Sequence, residues 1–475
     1  MPYRDLGQYM EALDRAGLLH RVAAEVDKDW EISAVSRRVF QRIPSSRRPA
    51  ILFEQVKGFE IPVLVGALGA SRRIYALALE TSVEGIGRKW EEGIARAVPP
   101  VLVDTGRCKE VILGEQALDV RDLPNPVWTV GEDPAPFMTA PLVCSKDPET
   151  GDRNMGTYRV QVKGKNRLGL MVNHSQNMDL HLQAWKERGE PCPVAIIIGA
   201  EPTIGLTSVA QFPYGVDEFA VAGGLRGGDP VELVRCETVD LEVPASAEIV
   251  VEGYVPTSEQ EWEGPFGEYT GYMGAAGDSW YMNVTCITRR ARPVYQAFLS
   301  QMPPSESSLI KSIGRELPLL KFLRETCGFP VADVHMPEAA GASPVVLISM
   351  SKQYPGQVKE VIWAAWSFAR EHGKYTIVFD DDIDVRDMGV VQWALAFRVQ
   401  PARDIEIWDR CLAVGLDPSS APVGVTQGDP VRNRGSKMGI DATRSHLYPP
   451  VALPPRAHLE AVDRDWNRYG LDDLG

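Results

Sequence analysis

A chain of 475 residues with 64 acidic and 50 basic side chains carries a net charge of −14, and this argues against a nucleic-acid or anionic-membrane partner, which would call for a basic stripe. Its composition, 44% hydrophobic and 24% charged, is that of an ordinary globular protein, long enough for two or three domains at roughly 100–200 residues each. Seven cysteines, at 108, 144, 192, 236, 286, 327 and 411, show no CxxC and no metal-type spacing, which excludes a disulfide framework or zinc site and suits a reducing compartment.

In chain order, Leu6, Tyr9, Met10, Leu13 and Leu18 predict an amphipathic helix with no secretory leader before it. Strands over 51–56 and 62–68, a helix near 72–80 and a strand over 110–113 follow, an α/β texture. The Pro-rich segment from Leu123 through Pro136 marks a boundary. From about 138 to 300 strands dominate, at 159–162, 168–172, 194–198, 248–253 and 281–288, and helices look few. A closed or partly closed β-barrel buries so many short strands without exposed edges. The last third returns to α/β: a strand over 345–349, a helix facing inward with Val358, Val361, Ile362, Ala365 and Ala369, and a strand over 375–379. That unit implies a parallel crossover.

The expected fold is therefore α/β (α+β): an N-terminal α/β domain over 1–120, a central split β-barrel domain over 121–305 and a C-terminal α/β and oligomerisation domain over 306–475. The final residues, rich in Arg, Asp and Trp, read as an arm for a partner subunit. The longest apolar runs, such as 193–200, are strand length, whereas a spanning helix needs about 20 apolar residues. A cytoplasmic protein without a membrane partner is expected.

Chemistry concentrates in Glu263-Gly-Pro-Phe-Gly-Glu268. Proline fixes φ and glycine accepts conformations that other residues avoid, so the turn holds two carboxylates in a defined relation. Close carboxylates repel, and one tends to keep its proton and act as a donor. An arginine between them would order the pair. Asn154, His174 and Glu218 are competent ligands for a hard or borderline divalent ion, although a lone histidine is more often a satisfied buried one. Arg434, Lys437 and Arg444, beside glycines, suit a phosphate or an ordinary surface loop equally. Asp380, Asp381 and Asp384 match a DDxxD magnesium-diphosphate spacing, but they follow a strand and precede a helix, where capping is the expected role.

Five segments in order resemble the UbiD-type decarboxylases: Asn154-x-Gly-x-Tyr-Arg159, Glu263 to Glu268, Asp381-Asp-Ile-Asp384, Trp393-Ala-Leu, and Lys437-Met-Gly-Ile-Asp441-Ala-Thr. The resemblance spans about residues 5–450. It implies prenylated FMN, made by a separate flavin prenyltransferase, held in the split barrel, and reversible decarboxylation of an α,β-unsaturated or aromatic acid. By matched position, Asn154, His174 and Glu218 would bind Mn²⁺ at the flavin phosphate, and K⁺ would lie near Thr207 and Ser208. Thr157, Tyr158, Arg159, Asn173, Ser208 and Lys437 would contact the cofactor. Arg159, Glu263 and Glu268 would form the catalytic network, with Glu268 as proton donor. Family members are dimers or hexamers, so a homo-oligomer is expected. Asp133 to Thr139 and Thr207 to Phe212 depart from the commoner family versions and bear on which acid is used. A magnesium phosphate enzyme built on Asp380–Asp384 and a non-catalytic UbiD-like subunit are the alternatives.

Overall fold

The computed structural model describes residues 2–173, 176–420 and 434–470. The first helix, Leu6–Arg15, starts where the Asp5 side chain accepts the Gln8 N–H, and it buries Leu6, Tyr9, Met10 and Leu13. Leu18, predicted on the same face, is buried one turn later, because Gly17 takes φ of +67° and ends the helix. The N-terminal sheet runs in the order Leu19–Val26, Ala50–Val56, Val63–Val65, Tyr295–Ala297, so its last strand is supplied from far along the chain.

The central sheet has ten strands. Its path runs Phe137–Met138, Val160–Gly164, Arg167–Leu170, Gly277–Arg289, Ile249–Val255, Cys192–Ile198, Leu142–Lys146, Arg153–Thr157. Val111–Gly114 and Glu261–Glu263 also pair with the long strand Gly277–Arg289. Among the described residues the hydrogen-bonded path has two free ends, Phe137–Met138 and Arg153–Thr157, and does not close on itself. Cys192–Ile198 is buried along its whole length, which explains its unbroken apolar run.

The helical content of this region exceeds the expectation. Asn177–Arg188, Pro202–Ser208 and Glu218–Leu225 are all helices. The last two are buried on nearly every side, so they show no amphipathic period for a sequence reading to detect. Glu218–Leu225 lies backbone-to-backbone on Ile86–Ala95: a Cβ on Gly224 would fall 2.1 Å from the Gly93 carbonyl oxygen, so only glycine fits.

The C-terminal sheet runs Val331–His335, Val345–Met350, Tyr375–Asp380, Arg434–Ala442, Ile405–Leu412. Val345–Met350 and Tyr375–Asp380 pair in parallel through the helix Gln357–Phe368, as the pattern predicts. Helix Glu306–Lys321 opens with a Ser305/Ser308 capping box and leads into this sheet. Its first residue, Glu306, is fully buried and accepts the N–H groups of Gly66, Leu68 and Gly69 at 2.9–3.0 Å. Those three bonds tie the N-terminal sheet to the helix that borders the site. Among the described residues no helix is long and apolar enough to cross a membrane.

Candidate active site

Arg159 lies in the turn between Arg153–Thr157 and Val160–Gly164, with 11% of its side chain accessible. Glu263 ends the strand Glu261–Glu263, opposite Gly277. Glu268 sits on the loop that follows, its N–H donating to the Tyr272 carbonyl at 2.9 Å, while Gly274 N–H closes the loop onto Phe266 at 2.7 Å. The arginine bridges the two acids: Nε donates to Glu263 at 2.8 Å and Nη1 donates to Glu268 at 3.1 Å. Gly274 leaves room for this, since a Cβ there would come within 3.1 Å of the Arg159 Nη1 and 3.2 Å of the Glu268 Cγ.

Burial raises the carboxyl of Glu263 above the ordinary range, and Arg159 pulls it partly back. Its second oxygen is buried without a well-aligned donor; the nearby Ser279 hydroxyl donates to the Leu170 carbonyl instead. Burial likewise raises Glu268, against the lowering effect of Arg159 and then Lys311. The geometry thus supplies one cation, one deeply buried acid that fixes it, and one more accessible acid that holds its proton above the usual pH. Such an arrangement has the chemistry of a proton donor with an orienting group.

Of the other predicted residues, Asn154 and Tyr158 lie close to Glu218. Glu218 opens its helix behind the Asp217 cap, is 4% exposed, and accepts the Met155 N–H at 2.9 Å. Burial raises its pKa to about 7, and among the described residues no cationic side chain pairs with it. Asn154, one residue before Met155 and buried, donates to the Tyr158 hydroxyl at 3.5 Å. Thr157 and Ser208 share a hydrogen bond at 2.8 Å, and Thr207 and Ser208 both donate to carbonyls of their own helix. Asn173 is exposed, its N–H on the Gln176 side chain. His174 lies outside the described residues. A buried carboxylate without a countercharge, beside an amide oxygen, is a donor set that fits a divalent ion.

Lys437 is set apart from this group. It is buried in the C-terminal unit, where its amine donates to the Arg370 and His372 carbonyls at 2.8 Å and lies over the Trp366 ring. The Asp380–Asp384 segment is arginine-paired. Arg398 binds Asp380 at 3.1 Å and Asp382 at 2.8 Å, and Arg444 binds Asp380 through its N–H at 2.8 Å and Nε at 3.2 Å. Asp381 accepts Ser351, Asp384 accepts the Arg386 N–H, and Asp387 caps Met388–Arg398. Asp380 ends its strand as the pattern predicts, but the helix cap is Asp387 rather than one of the DDxxD acids. Asp380 and Asp382 are paired with arginines, while Asp381 and Asp384 bond the Ser351 hydroxyl and the Arg386 N–H. Sequence reasoning missed a second set beside Glu268: Tyr269 and, packed against it, Lys311, Arg315 and Ser343. Their only local signal is Lys311 and Arg315 one turn apart on a helix that also carries Leu309, Ile310 and Ile313.

Three successive parts of the chain match models of one family. Residues 10–94 match the 3-octaprenyl-4-hydroxybenzoate carboxy-lyase N-terminal domain, residues 101–303 its Rift-related domain and residues 308–442 its C-terminal domain, the three parts of UbiD. The uncharacterized protein sll0936 of Synechocystis sp. is 33% identical over 99% of this chain and 97% of its own. The UbiD-class enzyme HmfF from Pelotomaculum thermopropionicum, solved in complex with FMN, is 34% identical with a TM-score of 0.86, covering 97% of this chain and 99% of that one. An evolved dimeric form of HmfF, in complex with prFMN, superposes at a TM-score of 0.83 with 34% identity, covering 97% of this chain and 100% of that one. Vanillic acid decarboxylase of Sedimentibacter hydroxybenzoicus in its open form is 27% identical, with a TM-score of 0.85 over 98% of this chain and 100% of that one.

Proposed function

The chain belongs to the UbiD family of carboxy-lyases, and from that premise we propose that Arg159, Glu263 and Glu268 carry a reversible, non-oxidative decarboxylation of an aromatic or α,β-unsaturated acid with prenylated FMN. The observation that carries the assignment is the single arginine held between a buried carboxyl, Glu263, and a partly accessible one, Glu268. Loss of CO₂ from an sp² carbon leaves an electron pair that water does not stabilise, and the bound prenylated flavin supplies the electron sink. Arg159 is placed to receive the substrate carboxylate and to aim Glu268. Glu263, 1% exposed, locks the Nε edge of the arginine. Glu268 delivers its proton to the carbon that has lost CO₂, and in the reverse direction takes it back.

Glu218 and Asn154, joined by His174, would hold Mn²⁺ and through it the flavin phosphate, and Thr207 and Ser208 would serve K⁺. What supports this is the uncompensated buried charge of Glu218 and the nearness of Asn154. Thr157, Tyr158, Asn173 and Lys437 complete the cofactor contacts. The domain limits 1–120, 121–305 and 306–475, a central split barrel, a cytoplasmic location and a dependence on a flavin prenyltransferase belong to the same reading. Co-expression with such a prenyltransferase is the test. The flavin released from the purified protein is expected to have the mass of FMN plus one five-carbon unit. No bound flavin with Mn²⁺ and K⁺ supplied would overturn the reading.

The working form is a homo-oligomer, a dimer or hexamer. Leu447 is 96% and Leu453 69% exposed, and the helix Arg456–Arg464 beyond them buries none of its residues. An apolar arm without cover in its own chain suits a second copy. Light scattering is expected to give a multiple of one chain mass for the full protein, and a single chain mass once residues 447–475 are removed.

A further inference from the structure

Glu268 is followed in the chain by Tyr269, which is buried between a helix and a loop. Helix Glu306–Lys321 lays the Lys311 amine on its ring, 3.4 Å from the centre. The same helix brings Arg315 to the hydroxyl, where Ser343 joins it. The turn at Gly341, with φ of +71°, presses on the other parts of the residue: a Cβ there would lie 3.1 Å from the Tyr269 carbonyl oxygen and 3.7 Å from its Cδ2. The ring is held at its face, its tip and its backbone.

Among the described residues Lys311 forms no ion pair, and Glu268 and Glu371 act on it only through space. A buried ammonium without a paired carboxylate is costly, and the electron-rich face of an aromatic ring is a neutral group that stabilises it. Burial raises the Tyr269 phenol above its usual value, so the ring offers its face and no charge. Burial, and then Arg315, bring the Lys311 amine down to about 7, and below that pH it is a cation. The other titratable groups near it are Glu371 and His372, past the end of helix Gln357–Phe368. His372 is held neutral, at about 3, by burial and by Arg315, Lys437 and Lys311.

Where Lys311 sits matters to Glu268. An opposite charge within about 4–6 Å holds a carboxyl ionised to a pH lower by roughly 1–3 units. Glu268 already meets one cation, Arg159, at 3.1 Å. A second cation in contact would strip the proton from the donor over much of the working range. On the ring of the next residue, Lys311 lowers the acid less than Arg159 does.

We propose that Tyr269 is a positioning residue for the proton donor: its ring seats the Lys311 ammonium and keeps it from pairing with Glu268. This rests on the reading of Glu268 as the acid that protonates carbon. The seat sets how much of the Lys311 charge Glu268 feels, and therefore where the donor form is lost.

The flavin-loaded holoenzyme gives two readouts, the limb on which kcat falls as pH rises and the protonated-carboxyl band of Glu268 in the infrared. The band is isolated by subtracting the spectrum of Glu268→Gln and needs no turnover. Tyr269→Phe keeps the ring and is expected to leave limb and band in place. Tyr269→Leu removes the seat, so Lys311 is expected to close on Glu268 and move both to lower pH by about 1–2 units. In a Lys311→Met background the same leucine substitution is expected to move neither, which separates the seat from packing of the loop. A ring-fluorinated phenylalanine at position 269 keeps the shape and weakens the face. It is expected to shift both readouts in the direction of Tyr269→Leu, by less, and it carries the test if the leucine variant does not fold.

An unmoved limb and band in Tyr269→Leu, or a fluorinated ring that behaves as Tyr269→Phe does, overturns the inference. So does a shift in Tyr269→Phe as large as in Tyr269→Leu, or one that persists without Lys311. A holoenzyme that turns over no acid, yet shows the band shift in Tyr269→Leu and loses it in the Lys311→Met background, would remove the proposed decarboxylation and leave the seat standing.

Discussion

Glu268→Gln is expected to lower kcat by about 10²- to 10⁴-fold, the range a general acid contributes, while the holoenzyme still folds and keeps its flavin. Glutamine has the shape of the protonated acid, and its carbonyl oxygen still accepts from Arg159 Nη1, as Glu268 does at 3.1 Å. The amide has no proton to give to carbon. The acidity of Glu268 is set by burial, which raises its pKa, against Arg159 and Lys311, which lower it. The balance lies above the ordinary carboxylate value, so the donor form survives to higher pH than in an exposed glutamate. Decarboxylation is therefore expected to fall as pH rises through that raised value. The limb belongs to Glu268 and Lys311 together, since each feels the other. Steady-state rates with flavin content read from absorbance check both points. Full activity in Glu268→Gln, or an unchanged pH limb in what remains, would take Glu268 out of the role.

Local signals made the acidic turn readable. Gly264, Pro265 and Gly267 constrain a short segment, and the carboxylates it carries are its own. The arginine that joins them is 104 residues from Glu263, and no spacing rule links the two; only the ordered motifs of a family did. The strand–helix–strand unit at 345–380 was readable because two short apolar runs, each buried on both faces, flank a clean 3.6-residue period. Pro202–Ser208 and Glu218–Leu225 were hidden by being apolar all round. The strand Tyr295–Ala297 was hidden for another reason, since three residues joining a sheet begun at Leu19 leave no pattern. Lys311 and Arg315 illustrate the limit most clearly. On sequence they are two ordinary helical cations, and only the fold brings them to Tyr269 beside Glu268.

Glu316→Gln is expected to destabilise the protein strongly and to remove much of the acid sensitivity of the fold. Glu316 is on the same helix as Lys311, with 2% of its side chain accessible. One oxygen accepts His335 Nδ1 at 2.7 Å, the Met336 N–H at 2.8 Å and the Ser312 hydroxyl at 2.9 Å. The other pairs with Arg72 at 2.5 Å and with Arg386 at 3.3 Å. Arg72 opens a helix next to the N-terminal sheet, whereas His335 and Arg386 belong to the C-terminal sheet and the turn above it. One carboxylate thus ties both ends of the molecule to the helix that borders the site. Burial alone would raise its pKa, but His335, Arg72 and Arg386 outweigh that and bring it from 4.5 to about 2. Between those two values the unfolded chain binds the proton and the folded chain does not. The stability this residue adds is therefore complete above about pH 4.5 and is lost as the pH falls toward 2. The difference in pKa corresponds to about 3 kcal/mol, within the roughly 3–5 kcal/mol that breaking a buried pair costs when its partners stay behind. Thermal unfolding followed by circular dichroism across this pH range measures it. The native chain should lose several degrees of midpoint between pH 5 and pH 3, and Glu316→Gln should start lower and change less over the same interval. A variant with the native midpoint at pH 7 would show that Arg72, His335 and Arg386 find other partners, and that the tie between the two ends does not depend on this charge.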